Sequence, residues 1–464
     1  MTLRDWAYPP VWLGVLLQLA AAALLVREGL PLVRHMMQDP QSAGVFDFYQ
    51  EWGSARNWRE GMPIYTPLQE SLRRHLGLRY WSLVIRHNAH PPVVALLSLP
   101  LGYLDYIPAL LLWNAFNVLL VAWSVVLTLR ALEWRLSKWW VLPIGAAIVH
   151  FNPFYQQCIQ GQLGGVLLFL VTAAWCAERR GAGVWAGAAL GLATAIKLFP
   201  GFLVVGLLLR RKWRGVATAL VVFILLQLAA WGLFGSAAFR DYVTVVLPDL
   251  QRFRTHMTNA SILGFGHKLF LGNAAEHATP LWHEPRVGWL VMGVLLAGVA
   301  GVALFWAWRA RTGVAFDLAI GINVSAMLLL SPLTWDHSLL LILPWLIVAA
   351  ATTPRRIIPW CCLAFVLLGM SINHVRLWHA GHPGELTRAA ALVGAGGLEA
   401  VRLPAAGVSP ALLGLVNGWT LTPPLPVHTF GHEVLGYKGL PFYTLLAWMV
   451  LQCWLARQAA GQEA

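Results

Sequence analysis

Charge is what this chain has least of. Of its 464 residues, 11% are Asp, Glu, Lys or Arg, where a soluble protein of average make-up carries about a quarter. With 58% hydrophobic residues and a mean hydropathy of +0.63, that shortage excludes a soluble globular protein and defines an integral membrane chain. Acid is scarcer than base, 20 residues against 33, for a net charge of +13. The bases gather in short loops between apolar runs, as in Arg210-Arg211-Lys212-Trp213-Arg214, which is a pattern of membrane topology. No basic domain or recognition motif accompanies them, so nucleic acid is not an expected partner. Cysteine is sparse too. The five (Cys158, Cys176, Cys361, Cys362, Cys453) lie in or beside apolar runs without metal-ligand spacing, so no disulfide framework is implied. A Walker loop, a dinucleotide glycine fingerprint and a zinc motif are all missing. No internal repeat is visible, which counts against transporters built from repeated halves.

What is there is a succession of apolar segments. The first runs over residues 10–26 and reads as an uncleaved span. With Arg4 inside, residues 27–90 become a first outer loop, whose LQESLRRHLGLRYW stretch suggests an interfacial helix. The apolar run at 90–103, opened by Pro91-Pro92, is too short for a full crossing and reads as re-entrant or broken. Residues 107–129 are long enough to cross, and 139–154 are interrupted by Pro143 and Pro153. WAGAALGLATAIKLFPGFLVVGLLLRRKWR offers two half-length segments parted by Lys197 and Pro200 and flanked by base at both ends. It reads as a pair dipping in from the cytoplasm and returning. Small residues (Gly187, Ala189, Gly191, Ala193) along its first half permit close helix contact. Residues 215–234 cross outward, 235–285 form a second outer loop, and 371–439 form a third outer region with a candidate interfacial helix at 389–415. The basic loops at 210–214, 309–311 and 355–356 are expected in the cytoplasm. The fold class is an all-α polytopic membrane protein, one integral domain over 1–464, with roughly 12–13 transmembrane or re-entrant helices.

This topology brings four polar clusters to the outer face. The first is FDFYQEWGSARNWREGMPIY at 46–65, the chain's densest mix of acids, bases and aromatics. A carboxylate at a membrane rim is costly, so Asp47 is either a functional group or the cap of a juxtamembrane helix. Gln160 and Gln162, flanking Gly161, can donate to hydroxyls or phosphate oxygens, or glue helices together. At 256–261, Asn259 and Ser261 form an NAS sequon that reads as coincidence. In SPLTWDHS, Pro332 breaks a helix and Trp335, Asp336 and His337 follow at the rim. Trp335 suits a saccharide face or the interfacial belt, and His337 suits a phosphate or an ordinary interfacial position. Lys197, between two apolar halves, costs about 2.5–3.5 kcal/mol to insert and needs a partner, a cavity or a snorkelling route.

Asp47-Phe48-Tyr49, Gly61-Met62-Pro63-Ile64-Tyr65, His90-Pro91-Pro92 with Pro100, Gly161-Gln162, and Ala186-Gly187 through Lys197 and Pro200 to Arg210-Arg211 follow one another in order. With Ser331-Pro332 and Trp335-Asp336-His337, the set resembles glycosyltransferase family 87 over residues 10–350. The resemblance implies a GT-C fold and a hexosyltransferase like the polyprenyl-phosphate-mannose-dependent mannosyltransferases of bacterial envelopes. It implies Asp47 as the general base of an inverting transfer to an envelope glycolipid or glycan. Lys197 and His337 would meet the leaving phosphate, with Arg56 or Arg59 helping and Gln162, Tyr65, Trp335 and Asp336 in the substrate site. Neither cofactor nor metal is implied. The location implied is the inner (plasma) membrane, with the active site on the extracytoplasmic side and the donor's lipid tail entering from the bilayer. A flippase for lipid-linked sugars is the alternative; it predicts polar residues at the membrane midplane rather than at one face. A non-catalytic scaffold would leave costly polar motifs without a purpose.

Overall fold

In the computed structural model of the chain, the described residues are 10–38, 47–77, 86–134, 137–256, 258–273, 280–370 and 439–463. They form a helical bundle. The long helices are α1 (Val11–Met36), α5 (Tyr106–Ala131), α11 (Trp213–Asp241), α12 (Pro285–Arg309), α13 (Gly313–Leu330) and α16 (Leu440–Glu463). Shorter ones lie between them: α2 (Tyr49–Arg59), α3 (Leu68–Leu76), α4 (Pro92–Ser98), α6 (Val141–His150), α7 (Asn152–Gln160), α8 (Gly164–Arg179), α9 (Gly183–Ile196) and α10 (Gly201–Leu209), with α14 (Leu343–Thr352) and α15 (Ile358–Gly369) after α13. Among the described residues, five stretches are long and apolar enough to cross a membrane. The 389–415 segment and almost all of the third outer region fall outside the described residues.

α13 is the centre. It is apolar on every face, as a helix must be to be enclosed by others, and α12 and α16 pack along it. Its one acid, Asp317, is 2% exposed and would be prohibitive alone. Trp175 Nε1 donates to it at 2.9 Å, and the Arg179 guanidinium pairs with its other oxygen. α11 shows the contrary pattern: Leu220, Val221, Ile224, Leu225, Leu228 and Trp231 are exposed, as a lipid-facing helix requires.

α9 and α10 form the expected broken pair, and the small residues set their packing. A Cβ on Gly187 would fall 2.0 Å from Gly215 O, and one on Gly191 2.5 Å from Ala219 O, so only glycine lets α9 lie this close to α11. At the far flanks of the pair Arg210 grips Glu178 through Nε (2.7 Å) and Nη2 (2.9 Å), both side chains buried.

Two features differ from those expected, and the 90–103 run keeps its expected short, broken form. α1 runs on past residue 26 to Met36, because Leu32 and Met36 bury against the core and extend its apolar stripe. At Gly235, non-helical at φ +75°, the spanning helix breaks where expected, but helical turns resume through residues expected to form the second outer loop, to Thr255. The 90–103 run forms α4 and then a 3-10 turn over Leu99–Tyr103, which together remain too short to cross.

Candidate active site

Asp47 ends the segment that enters α2, and it does not cap that helix. The cap position falls on Phe48, which makes no side-chain cap bond. Instead, Gln162 Nε2 donates to Asp47 Oδ2 at 2.8 Å. Two turns of chain are docked to bring this about. Phe48 N–H donates to Gln160 O (2.8 Å), and Trp113 Nε1 donates to Gly161 O (2.7 Å). Gly161 ends α7 at φ +61°, and a Cβ there would sit 2.6 Å from the Cβ of Phe48. A left-handed glycine is what lets the Asp47 turn close on the Gln162 turn. Burial pushes the Asp47 carboxyl up to about 6; the Gln162 bond opposes the rise, Glu51 adds to it, and His90 and Lys197 draw it back.

Glu51 lies one helical turn beyond Asp47, on the same face of the chain. It pairs with His90 Nδ1, and both side chains are almost wholly buried. α2 also fixes the His90 strand. Asn88 Nδ2 donates to Gln50 O and to Ser54 Oγ, both at 2.9 Å, and Ala89 N–H donates to Gln50 Oε1 (2.8 Å). Tyr65 Oη donates to His90 O (2.7 Å), and its ring stacks on Tyr242 with centroids 6.0 Å apart. Tyr65 thus holds the segment that carries His90.

Lys197 follows the last turn of α9 in extended backbone, where the Lys197–Pro200 break turns it toward the charges of Glu51 and Asp47. Asp336 and His337 begin the 3-10 turn after Pro332. The charge of Asp47 and the Asn152 side chain both act on Asp336. Its Oδ1 accepts from His337 N–H (2.8 Å) and lies 3.8 Å from His337 Nδ1. Lys197 and His90 both act electrostatically on His337, whose two ring nitrogens are buried without a hydrogen bond. A buried imidazole in that condition is open to a ligand oxygen. Trp335 stacks nearly parallel on His337, centroids 6.5 Å apart, and meets His256 edge-on at 4.8 Å.

Asp47, Gln162, Lys197, Asp336 and His337 therefore share one polar centre. Arg56 and Arg59 are engaged elsewhere. Both donate to Gly102 O (3.0 and 3.3 Å), with Arg56 over the Trp52 ring and Arg59 over Tyr103. The sequon atoms are structural: Asn259 Oδ1 accepts from Ser261 N–H and Thr334 N–H, tying the 256–261 cluster to the 331–337 loop. The residues that sequence reasoning passed over are Glu51, His90 and Asn152. Glu51 had a usable signal in its four-residue spacing from Asp47; the other two meet the site only through tertiary packing.

A half-buried carboxylate, a lysine and an unbonded histidine thus gather inside a bundle of long apolar helices, an arrangement consistent with a GT-C-like membrane fold. The chain belongs to glycosyltransferase family 87, whose model matches residues 88–332. The matched stretch takes in His90, Gln162 and Lys197 and stops short of Asp336 and His337. A polyprenol-phosphate-mannose-dependent alpha-(1-2)-phosphatidylinositol pentamannoside mannosyltransferase of Mycolicibacterium smegmatis is 30% identical over 313 residues, 64% of this chain and 71% of the relative. An alpha-(1->3)-arabinofuranosyltransferase of Mycobacterium tuberculosis is 25% identical over 341 residues, 72% and 68% of the two chains. A polyprenol-phosphate-mannose-dependent alpha-(1-2)-phosphatidylinositol mannoside mannosyltransferase of the same organism is 29% identical over 338 residues, 67% and 70%. No solved structure matches the chain.

Proposed function

We propose that this protein transfers a hexose, mannose first among candidates, from a polyprenyl-phosphate sugar to an envelope glycolipid or glycan, with inversion at the anomeric carbon. The observation that carries the reading is Asp47, which caps nothing and is held by Gln162 in a buried turn. Its carboxylate takes the acceptor hydroxyl's proton as that oxygen attacks the anomeric carbon from the face opposite the phosphate. The bond from that carbon to the phosphate oxygen breaks, and polyprenyl phosphate leaves with the electron pair. Lys197 supplies fixed positive charge for the leaving oxygen, and His337 a ring nitrogen to bond it. Asp336 and Trp335 flank His337 and are the residues assigned to meet the sugar on this reading. The relatives that use polyprenol-phosphate mannose support the donor class, and the long apolar helices support lateral entry of its tail. On this reading the enzyme sits in the plasma membrane with its site at the extracytoplasmic face.

The test is to incubate membranes containing the protein with labelled polyprenyl-phosphate mannose and envelope glycolipids. Label should pass to an acceptor with the parent chain and not with Asp47→Asn. Label that crosses the bilayer without leaving its lipid would identify a flippase instead.

A further inference from the structure

Beyond the polar centre, a cavity of about 290 Å³ opens where the chain leaves α11. Arg86, Arg252 and Arg254 line it, with Asp249, His267 and Asn273. Three guanidiniums against one carboxylate leave the lining net positive, and guanidinium forks match phosphate oxygens. Asp249 Oδ1 holds Arg252 at 3.5 Å, and Arg252 lies over the Phe253 ring. Arg254 carries the stronger signal. Its Nε is buried without a hydrogen-bond partner, and its Nη1 is 3.5 Å from His267 Nε2. An unbonded buried guanidinium N–H is costly, and an anion in the cavity would satisfy it.

The cavity's position says which anion. Arg86 precedes His90 by four residues on the segment that α2 pins through Asn88, so one lining residue of the cavity shares a short stretch of chain with the Glu51–His90 pair. Beside Arg252 and Arg254 in the chain, Phe253 and His256 pack on Trp335 with centroids 5.6 and 4.8 Å away. From Trp213 to the Gly235 break the helix runs 22 residues, about 33 Å at 1.5 Å per residue, enough to cross a hydrocarbon core. The residues past Gly235 therefore start at the far edge of that core, at the depth where lipid phosphates sit. His337 lies against Trp335 and, on the transferase reading, is with Lys197 already committed to the leaving group.

We propose that this cavity binds the phosphodiester of an anionic glycolipid acceptor and so holds its sugar toward Asp47. Naming the occupant as acceptor rests on the transferase reading; the phosphodiester chemistry does not. The acceptor class is thereby narrowed to a phosphate-bearing lipid, and a neutral glycan would not use this cavity.

The experiment titrates the purified full chain, in uncharged detergent, with dihexanoyl phosphatidylglycerol, dihexanoylglycerol and inorganic phosphate, reading tryptophan fluorescence. Dihexanoyl phosphatidylglycerol should bind, dihexanoylglycerol should not, and Arg254→Gln or Arg252→Gln should each weaken binding about tenfold or more, as loss of a charged hydrogen bond does. Asp249→Asn should tighten it several-fold, a change that misfolding cannot mimic. Binding is read without turnover, so a chain that binds in this manner yet transfers nothing would refute the transferase reading and leave the anion site standing. In transfer assays the arginine variants should raise KM for a phosphodiester-bearing acceptor and leave that for octyl mannoside unchanged. Unchanged affinity in the variants, equal binding of inorganic phosphate, or displacement of the lipid by polyprenyl phosphate would each overturn the proposal.

Discussion

Asp47 and its hydrogen bond to Gln162 determine how the centre should respond to substitution. Asparagine at 47 keeps an oxygen for Gln162 Nε2 and loses only the base, so Asp47→Asn should leave donor binding intact while transfer falls by about 10²–10⁴. The readout is turnover beside donor KM, and near-normal turnover in a folded sample would dismiss the base. Since the active form is the carboxylate, and burial lifts its pKa to about 6, kcat/KM should rise with pH through that value and level off above it. Gln162→Leu removes a donor that favours the charged form, so the acid limb should move to higher pH. A limb that stays in place would show that Asp47 is not the group titrating. Asp47 was legible in the sequence because a lone acid near a membrane rim stands out. Arg56 and Arg59 were drawn into the site by proximity along the chain, yet α2 turns them toward Gly102.

At the scale of elements, the centre depends on two turns meeting, and Gly161 is the hinge pin. Gly161→Ala adds a methyl 2.6 Å from the Cβ of Phe48 and forces alanine to φ +61°. Strain of that kind costs about 1–3 kcal/mol, and here it should also part Asp47 from Gln162. Thermal unfolding in detergent should therefore show a lower midpoint together with lost transfer. Gly232→Ala, where an added methyl meets nothing within 4 Å, should leave both nearly unchanged. Equal behaviour of the two variants would deny that the docked turns matter. Much of the element pattern could be read in advance: the Lys197–Pro200 break, the glycines of α9 and the short α4 follow from local composition. The end of α1 could not, because Leu32 and Met36 gain their partners only in the folded bundle, and neither could the helical turns that resume past Gly235 in place of a loop.

Across the whole molecule, one guanidinium fixes which loops share a membrane face. Arg210 grips Glu178 at the end of α8 and also donates to Ala307 O near the end of α12 (3.4 Å). Residues 178–180, 210–214 and 307–311 therefore lie together, and between them they carry eight of the chain's 33 lysines and arginines. Positive charge in short loops favours the cytoplasm, so the proposed orientation puts this face inside. α9 carries the chain away from it for 14 residues, about 21 Å, before reaching Lys197, which places the polar centre toward the opposite side. α12, with 25 residues and a rise of about 37 Å, likewise starts from that opposite side at Pro285. In a chain stripped of its five cysteines, an impermeant maleimide added to intact cells should label His283→Cys and spare Trp213→Cys, both of which sit at exposed positions. Lysed cells should label both. Labelling of Trp213→Cys alone in intact cells would invert the chain, open the Asp47 centre to the cytoplasm, and remove the case for a donor presented on the outer side.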